Sequence, residues 1–185
     1  LLISFLPVLV FVYLLILLVD KQNPIFRQTR PGLHGQPFSM YKFRTMRTSR
    51  ELDIEFHNIT RLGLFLRSHS IDELPQLINV LIGNMSLVGP RPLLMSYLPL
   101  YSAKQMVRHH VKPGMTGLAQ VSGRNSLDWD TKFDFDMKYV ESFSFKTDVK
   151  IIFKTFKVIF DRKHVSVSDS IIVKPFSRSS TTYPC

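Results

Sequence analysis

Two carboxylates stand side by side at Asp72 and Glu73, in the stretch SHSIDELPQLINVLIGN. They lie at the start of a helical pattern that runs to about Ile82. Adjacent helical residues point roughly 100° apart. The pair should therefore not flank one bond as the acids of a glycosidase do, and should take different tasks. An aspartate can attack phosphorus and form an acyl phosphate, dividing one displacement into two. The second carboxylate can handle a proton or a metal ion. The competing reading is plain complementarity to the helix dipole, which is the commoner use of acids at a helix N-terminus. Nothing in this stretch alone overrides it.

The surroundings shift the weight toward chemistry. A helix N-terminus also binds phosphate. Arg67 lies one short turn upstream, Arg91 follows in GPRP, and Arg124 sits in the GRN loop. Guanidinium forks match phosphate oxygens in pairs, and proline or glycine loops fix where they point. Each arginine alone reads as structural. Together with the two acids they suggest a phosphate site that contains carboxylates. Two anions repel unless a cation lies between them, and Mg²⁺, held by one carboxylate plus phosphate oxygens, is the usual solution. The common nucleotide signatures, G-x-x-x-x-G-K-[ST] and G-x-G-x-x-G, are absent. His109 and His110 are adjacent rather than four apart, and most of the six histidines read as surface residues. One Cys, the terminal Cys185, excludes a disulfide framework and a thiolate zinc site.

Several elements must position these groups. IFRQTRPG and GQPFSMYKFRTM read as two short strands joined by a turn. Residues 59–67 form a short helix pattern. In the next helix Leu74, Leu77, Ile78 and Leu81 recur at helical spacing, and Gly83 sits where a C-cap belongs. Its start has two registers. Ser70 and Glu73 make a capping box, or the helix begins at Asp72 with Pro75 in its first turn. MSLVGPRPLL reads as a short strand and a proline-held loop, 101–111 as helix, and KPGMTGLAQVSGRN as a glycine-rich loop with a short strand. Two more helices follow, over 130–143 and 145–162. In the second, Val149, Ile152, Phe153, Phe156, Ile159 and Phe160 form one apolar stripe among lysines. That stripe suits either ordinary core packing or a bilayer interface. The last twenty residues are polar and read as a loose tail.

The 185 residues carry 24 Lys+Arg against 14 Asp+Glu, a net charge of +10, yet residues 1–19 hold no charge. The pattern is a membrane-attached basic domain. Nineteen residues at helical rise span about 28 Å, near the roughly 30 Å hydrocarbon core, which favours a straight span on length. Pro7 opens an alternative: the twelve residues after it cover only about 18 Å, which suits a segment that turns and exits on its entry side. No basic start or small-residue cleavage site marks a secretory signal. Lys21, Arg27, Arg30, Lys42, Arg44 and Arg47 follow directly, placing the domain on the cytoplasmic side, where acidic headgroups attract it.

At this point the motifs RPGLHGQPFSMYKFRTM (30–46), LGLFLRSHSIDELPQLINVLIGNMSLVGPRPLL (62–94) and KPGMTGLAQVSGRN (112–125) become recognisable. The chain resembles the bacterial sugar transferases, also called small monotopic phosphoglycosyl transferases, over about residues 4–163. The resemblance implies an α+β, mainly helical fold. It has a re-entrant membrane helix at 1–19, a compact cytoplasmic catalytic domain with short strands and interfacial amphipathic helices at 20–165, and a tail at 166–185. It implies transfer of a sugar-1-phosphate from a UDP-sugar to undecaprenyl phosphate, releasing UMP, by a ping-pong route. Asp72 is then the nucleophile and a Mg²⁺ contact, with Glu73 its partner. Arg67, Arg91 and Arg124 fall on positions tied to phosphate or nucleotide, with Lys42 and Asn125 as further substrate-binding residues of the same motifs. The re-entrant break of the family lies at a Ser-Pro pair; here Pro7 is kept and Leu6 stands in place of the serine. The family also has a basic amphipathic start before this point, and this chain opens Leu-Leu, so upstream residues are expected and the chain as given should anchor weakly.

The implied partners are the UDP-sugar, undecaprenyl phosphate, anionic membrane lipid and downstream glycosyltransferases. The implied place is the cytoplasmic face of the bacterial inner membrane, at the first membrane step of glycoconjugate assembly. Two other readings compete. A membrane-tethered nucleic-acid binder is permitted by the charge and 15 Phe, but no recognition motif is visible, and no nucleic-acid partner is expected. A catalytically dead scaffold for glycan enzymes is opposed by the intact acids and arginines. The motifs do not specify the sugar.

Overall fold

The hydrophobic start folds as one helix, α1 (Leu2–Val19), in a computed structural model that describes residues 2–47, 59–123, 126–160 and 176. The helix continues through Pro7 without the interruption expected there. Pro7 lies near the N-terminal end, so the missing N–H removes only one hydrogen bond of the ladder. Eighteen residues rise about 27 Å, and among the described residues no helix is long and apolar enough to cross a membrane. One face of α1 is committed to the domain. Val12 and Ile16 are buried with Phe43 and Leu66, and Leu9, Ile25, Leu62 and Ile71 pack around them. Leu6, Val10, Phe11, Leu14 and Leu18 remain exposed.

The expected hairpin is present. β1 (Ile25–Pro31) pairs antiparallel with β2 (Pro37–Phe43), in a register that sets Phe26 opposite Lys42 and Arg30 opposite Phe38. The reversal is a 3-10 turn, Leu33–Gly35, with His34 and Gly35 at positive φ. Side chains alternate along a strand, so Lys42 projects from the same face as Phe38 and Met40. Those two are buried with Met85.

α2 (Arg61–Ser68) starts at Thr60, whose Oγ1 accepts from the Gly63 N–H at 2.8 Å and donates to Asp20 Oδ2 at 2.9 Å. Gly63 packs against the Thr45 backbone so closely that a Cβ would collide with it. This ties the helix to the end of the hairpin. The helix expected from about Asp72 to Ile82 is split. Ile71–Glu73 is a 3-10 turn, and α3 begins only at Gln76 and ends at Leu81. Ser70 adopts a left-handed backbone and makes no side-chain cap, so neither expected register holds. Pro75 sits at the N-cap of α3, where its missing N–H costs nothing. Gly83 has a φ of +85° just past the helix, as its C-cap role requires.

The apolar residues at helical spacing on α3 do not share one buried face. Leu77 is buried, but Ile78 and Leu81 are exposed, and the inward face is completed by Gln76 and Asn79. Asn79 is fully buried because it acts as a piece of strand: its Nδ2 donates to the Ser39 carbonyl at 2.8 Å, and its Oδ1 accepts from the Tyr41 N–H at 3.0 Å. A polar side chain that satisfies the free edge of β2 is more use there than a leucine.

β3 (Ser86–Val88) and β4 (Gly114–Thr116) pair in parallel, matching the two expected short strands. The helix expected over 101–111 is α4 (Ala103–Met106) followed by a 3-10 turn, Val107–His110. α5 (Leu118–Ser122) follows β4. α6 (Trp129–Glu141) and α7 (Phe145–Phe160) agree with the last two expected helices. On α7 the inward residues are Ile151 and Ile152, packed with Val88 and Tyr139, whereas Phe153, Phe156 and Ile159 of the expected stripe are exposed. The core-packing alternative for that stripe is thereby overturned at these positions. The tail at 166–185 lies outside the described residues except for Phe176. That residue is buried against Tyr97, Tyr101, Trp129 and Phe133. Helices thus dominate a mixed helix-and-strand fold, as expected.

Candidate active site

The 3-10 turn Ile71–Glu73 carries both acids, and it packs against β2. Glu73 is saturated. Its Oε1 accepts from Lys42 Nζ at 2.8 Å and from Arg91 Nη2 at 2.6 Å, and its Oε2 accepts from Arg91 Nη1 at 3.3 Å. Lys42 arrives from β2 by strand alternation. Arg91 arrives from the loop after β3, held by Pro90 and Pro92. The guanidinium therefore grips the carboxylate with two nitrogens, the geometry that makes such pairs strong.

Asp72 is treated differently. It is only 9% exposed, yet among the described residues no donor hydrogen-bonds to its carboxylate. Its environment is nevertheless charged. Burial and then the neighbouring Glu73 push its pKa up to about 6, while Lys42, Arg67 and Arg91 pull the other way. For Glu73 burial acts upward too, but Arg91 and Lys42 and their hydrogen bonds overwhelm it and hold the carboxyl well below the usual range. Glu73 in turn raises the Arg91 pKa against the effect of burial. The two acids titrate as a pair. One is a permanently ionised anchor. The other is a buried carboxylate near neutrality with its oxygens free.

Arg67 lies on the last turn of α2, where Nε donates to Thr45 Oγ1 at 2.9 Å. Thus Asp72, Glu73, Lys42, Arg67 and Arg91 come together. Arg124 and Asn125 lie outside the described residues. Pro7 sits exposed on α1.

Three groups escaped the sequence reading. Arg30, on β1, lies in the electrostatic field of both Arg91 and Glu73. Its sequence context marks it only as membrane-side charge. Lys132, on α6, also feels Arg91. Arg108 forms a buried ion pair with Asp136 of α6, with Nε and Nη2 at 3.0 and 2.7 Å from Oδ2, and its Nη2 also donates to the Arg91 carbonyl at 2.7 Å. Arg108 therefore bolts the arginine loop to α6. Its neighbour His109 is buried rather than at the surface: Nδ1 is 3.2 Å from the Gly32 carbonyl, and burial pushes its pKa down to about 4. No local pattern announces any of these, because each partner lies far away in sequence.

A match to the bacterial sugar transferase family covers residues 1–162 of the chain. The chain belongs to that family. As a bacterial sugar transferase it is 48% identical, over 162 residues, to the "uncharacterized sugar transferase EpsL" of Bacillus subtilis (strain 168), an alignment covering 85% of this chain and 80% of that protein. It is 43% identical to an undecaprenyl-phosphate galactose phosphotransferase of Salmonella typhimurium, covering 77% of this chain and 34% of that protein. It is 40% identical to a UDP-glucose:undecaprenyl-phosphate glucose-1-phosphate transferase of Escherichia coli (strain K12), covering 80% and 35% respectively. The chain thus spans about a third of the length of these two relatives. In this sugar transferase the matched region takes in both acids, Lys42, Arg67 and Arg91.

Proposed function

We propose that the chain transfers a sugar-1-phosphate from a UDP-sugar to undecaprenyl phosphate by way of an aspartyl intermediate on Asp72. The observation that carries this reading is the division of labour within the acid pair: Glu73 is fully engaged by Lys42 and Arg91, whereas Asp72 is buried, ungripped and close to neutrality in its proton affinity. A carboxylate in that state is poised to donate an electron pair. One Asp72 oxygen attacks the sugar-side phosphorus of the donor. A new O–P bond forms, the bond from that phosphorus to the bridging oxygen breaks, and UMP leaves with the electron pair. An oxygen of undecaprenyl phosphate then attacks the same phosphorus and returns the Asp72 carboxylate. Glu73 holds Lys42 and Arg91 in place so that their outward N–H groups meet the charge that develops on phosphate. The names of the Salmonella and Escherichia relatives support both the acceptor and the phosphosugar class.

Mg²⁺ fits this site in a limited way. Among the described residues no three His, Cys, Asp or Glu side chains gather to hold a metal. Asp72 would supply one carboxylate, and substrate phosphate and water the remaining oxygens, as the hard, octahedral ion prefers. Bound there, Mg²⁺ would neutralise phosphate charge. The apolar residues exposed on α1 and α7 support seating at a lipid surface, and the net charge of +10 supports anionic lipid on the cytoplasmic side. Downstream glycosyltransferases would take the product.

The test is UMP release by detergent-solubilised protein with Mg²⁺, undecaprenyl phosphate and a panel of UDP-sugars, against Asp72→Asn. UMP from one donor, abolished in the variant, is the expected result. No UMP from any donor would replace this reading by the scaffold.

A further inference from the structure

Arg30 is a cation whose place in the site is unexplained. Its Nη2 donates to Gln28 Oε1 at 2.6 Å, and its Nε is buried without any partner. Among the described residues it has no ion pair, whereas Lys42 and Arg91 both spend charge on Glu73. A guanidinium that is partly withdrawn from water needs an anion or an acceptor to balance it.

Its position along the hairpin says where that anion lies. Arg30 is opposite Phe38, and Lys42 is opposite Phe26, so the two cations are four residues apart along the ladder, about 13 Å at strand rise. Alternation puts both on the same face. The Glu73–Arg91 pair is bonded to Lys42 and interacts electrostatically with Arg30. At the Lys42 end stands Asp72, in the fields of Glu73, Lys42, Arg67 and Arg91. At the other end stands Arg30, whose charged and polar neighbours are Arg91, Glu73, Tyr97 and Tyr101. The site is therefore extended, with the free carboxylate at one end and a spare guanidinium at the other. A ligand with two linked phosphates matches that layout better than one with a single phosphate.

We propose that Arg30 binds the nucleotide-side phosphate of the donor, while the sugar-side phosphorus lies against Asp72. This rests on the donor chemistry proposed above. Arg30 then stabilises the phosphate that departs as UMP, and Gln28 fixes the plane of its guanidinium. The acceptor then attacks that phosphorus in line with the departing Asp72 oxygen, from the side UMP has vacated, so Arg30 meets it only after the nucleotide has gone.

The experiment compares wild type, Arg30→Gln and Arg30→Lys as full chains in detergent, after circular dichroism and a thermal melt confirm that each folds. UMP and UDP binding are measured by calorimetry, together with the KM for UDP-sugar. Losing one charge-assisted contact should weaken UMP and UDP binding roughly tenfold in Arg30→Gln, with partial recovery in Arg30→Lys. The KM for UDP-sugar should rise with it. Equal nucleotide binding by wild type and Arg30→Gln overturns the role of Arg30 and leaves the transferase reading standing. No binding of UMP or UDP by wild type overturns the nucleotide donor itself.

Discussion

Glu73 Oε1 accepts from Lys42 Nζ at 2.8 Å and Arg91 Nη2 at 2.6 Å, while the adjacent Asp72, on the same short turn, is gripped by neither. One residue along the chain thus separates an anchor from a reagent. The 3-10 turn turns the two carboxylates apart, and the two cations reach only one of them.

Asp72→Asn should abolish UMP release while making the protein more stable at neutral pH. Holding a buried carboxylate ionised opposes folding, and a pKa raised from 3.8 to about 6 corresponds to a cost of about 3 kcal/mol above that pH. The amide removes the cost. A melt of the variant above wild type, with no activity, is the expected pair of results. An unchanged or lower melting temperature would mean that Asp72 is not under electrostatic strain.

The pH profile follows with a definite sign. The native state binds the Asp72 proton more tightly than the unfolded chain does, so stability falls as pH rises from about 4 through about 6. The advantage of Asp72→Asn over wild type should therefore be small near pH 4 and full above pH 6. Activity needs the ionised form, and so the rate of UMP release should drop on the acid side with an apparent pKa near 6. Glu73 acts in the reverse sense: its depressed pKa contributes stability at neutral pH that is lost as pH falls below the ordinary carboxyl range. Chemical denaturation at several pH values, with wild type and both amide variants, separates the two.

Glu73→Gln frees Lys42 and Arg91 from their shared partner. The rate should fall by about two orders of magnitude, because the cations no longer stand where phosphate charge develops. The stability loss should be modest, about 1 kcal/mol, since Arg91 is nearly half exposed and water takes over part of the interaction. A steady-state assay with a urea titration checks both figures. A variant with wild-type kcat would remove Glu73 from the mechanism.

Asp136→Asn leaves the buried Arg108 charge uncompensated, which costs about 3 to 5 kcal/mol. Because Arg108 also holds the Arg91 carbonyl, nucleotide binding should weaken in whatever fraction remains folded. Calorimetric titration with UMP below the melting temperature tests this. Unaltered affinity would show that the loop carrying Arg91 holds its place without Arg108.

Asn79→Leu is volume-conserving and tests the side-chain strand. It strands the Ser39 carbonyl and the Tyr41 N–H, each in a part-buried place, so about 2 to 4 kcal/mol should be lost. Hydrogen exchange at the Tyr41 amide should speed up more than exchange elsewhere on β2. Uniform exchange would refute the local clamp.

Much of this was legible in the residues themselves. Apolar alternation and turn glycines announce β1, β2 and Gly35, and the helical period announces α6 and α7, because these depend on neighbours within a few positions. The chemical types of Asp72, Glu73, Arg67 and Arg91 mark them as candidates for the same reason. What each does was decided by the tertiary structure. Lys42 reaches Glu73 across 31 positions and Arg91 across 18, and only that convergence splits the acids into anchor and reagent. On α3 the helical period of Leu74, Leu77, Ile78 and Leu81 leaves Asn79 unmarked, yet the free edge of β2 takes an amide, so Asn79 occupies the core and Ile78 and Leu81 face out. On α7 apolar residues occupy more than one face, and periodicity cannot tell which face finds Val88 and Tyr139. Local chemistry sets what a side chain can do; which partner it meets depends on contacts between residues far apart in the chain.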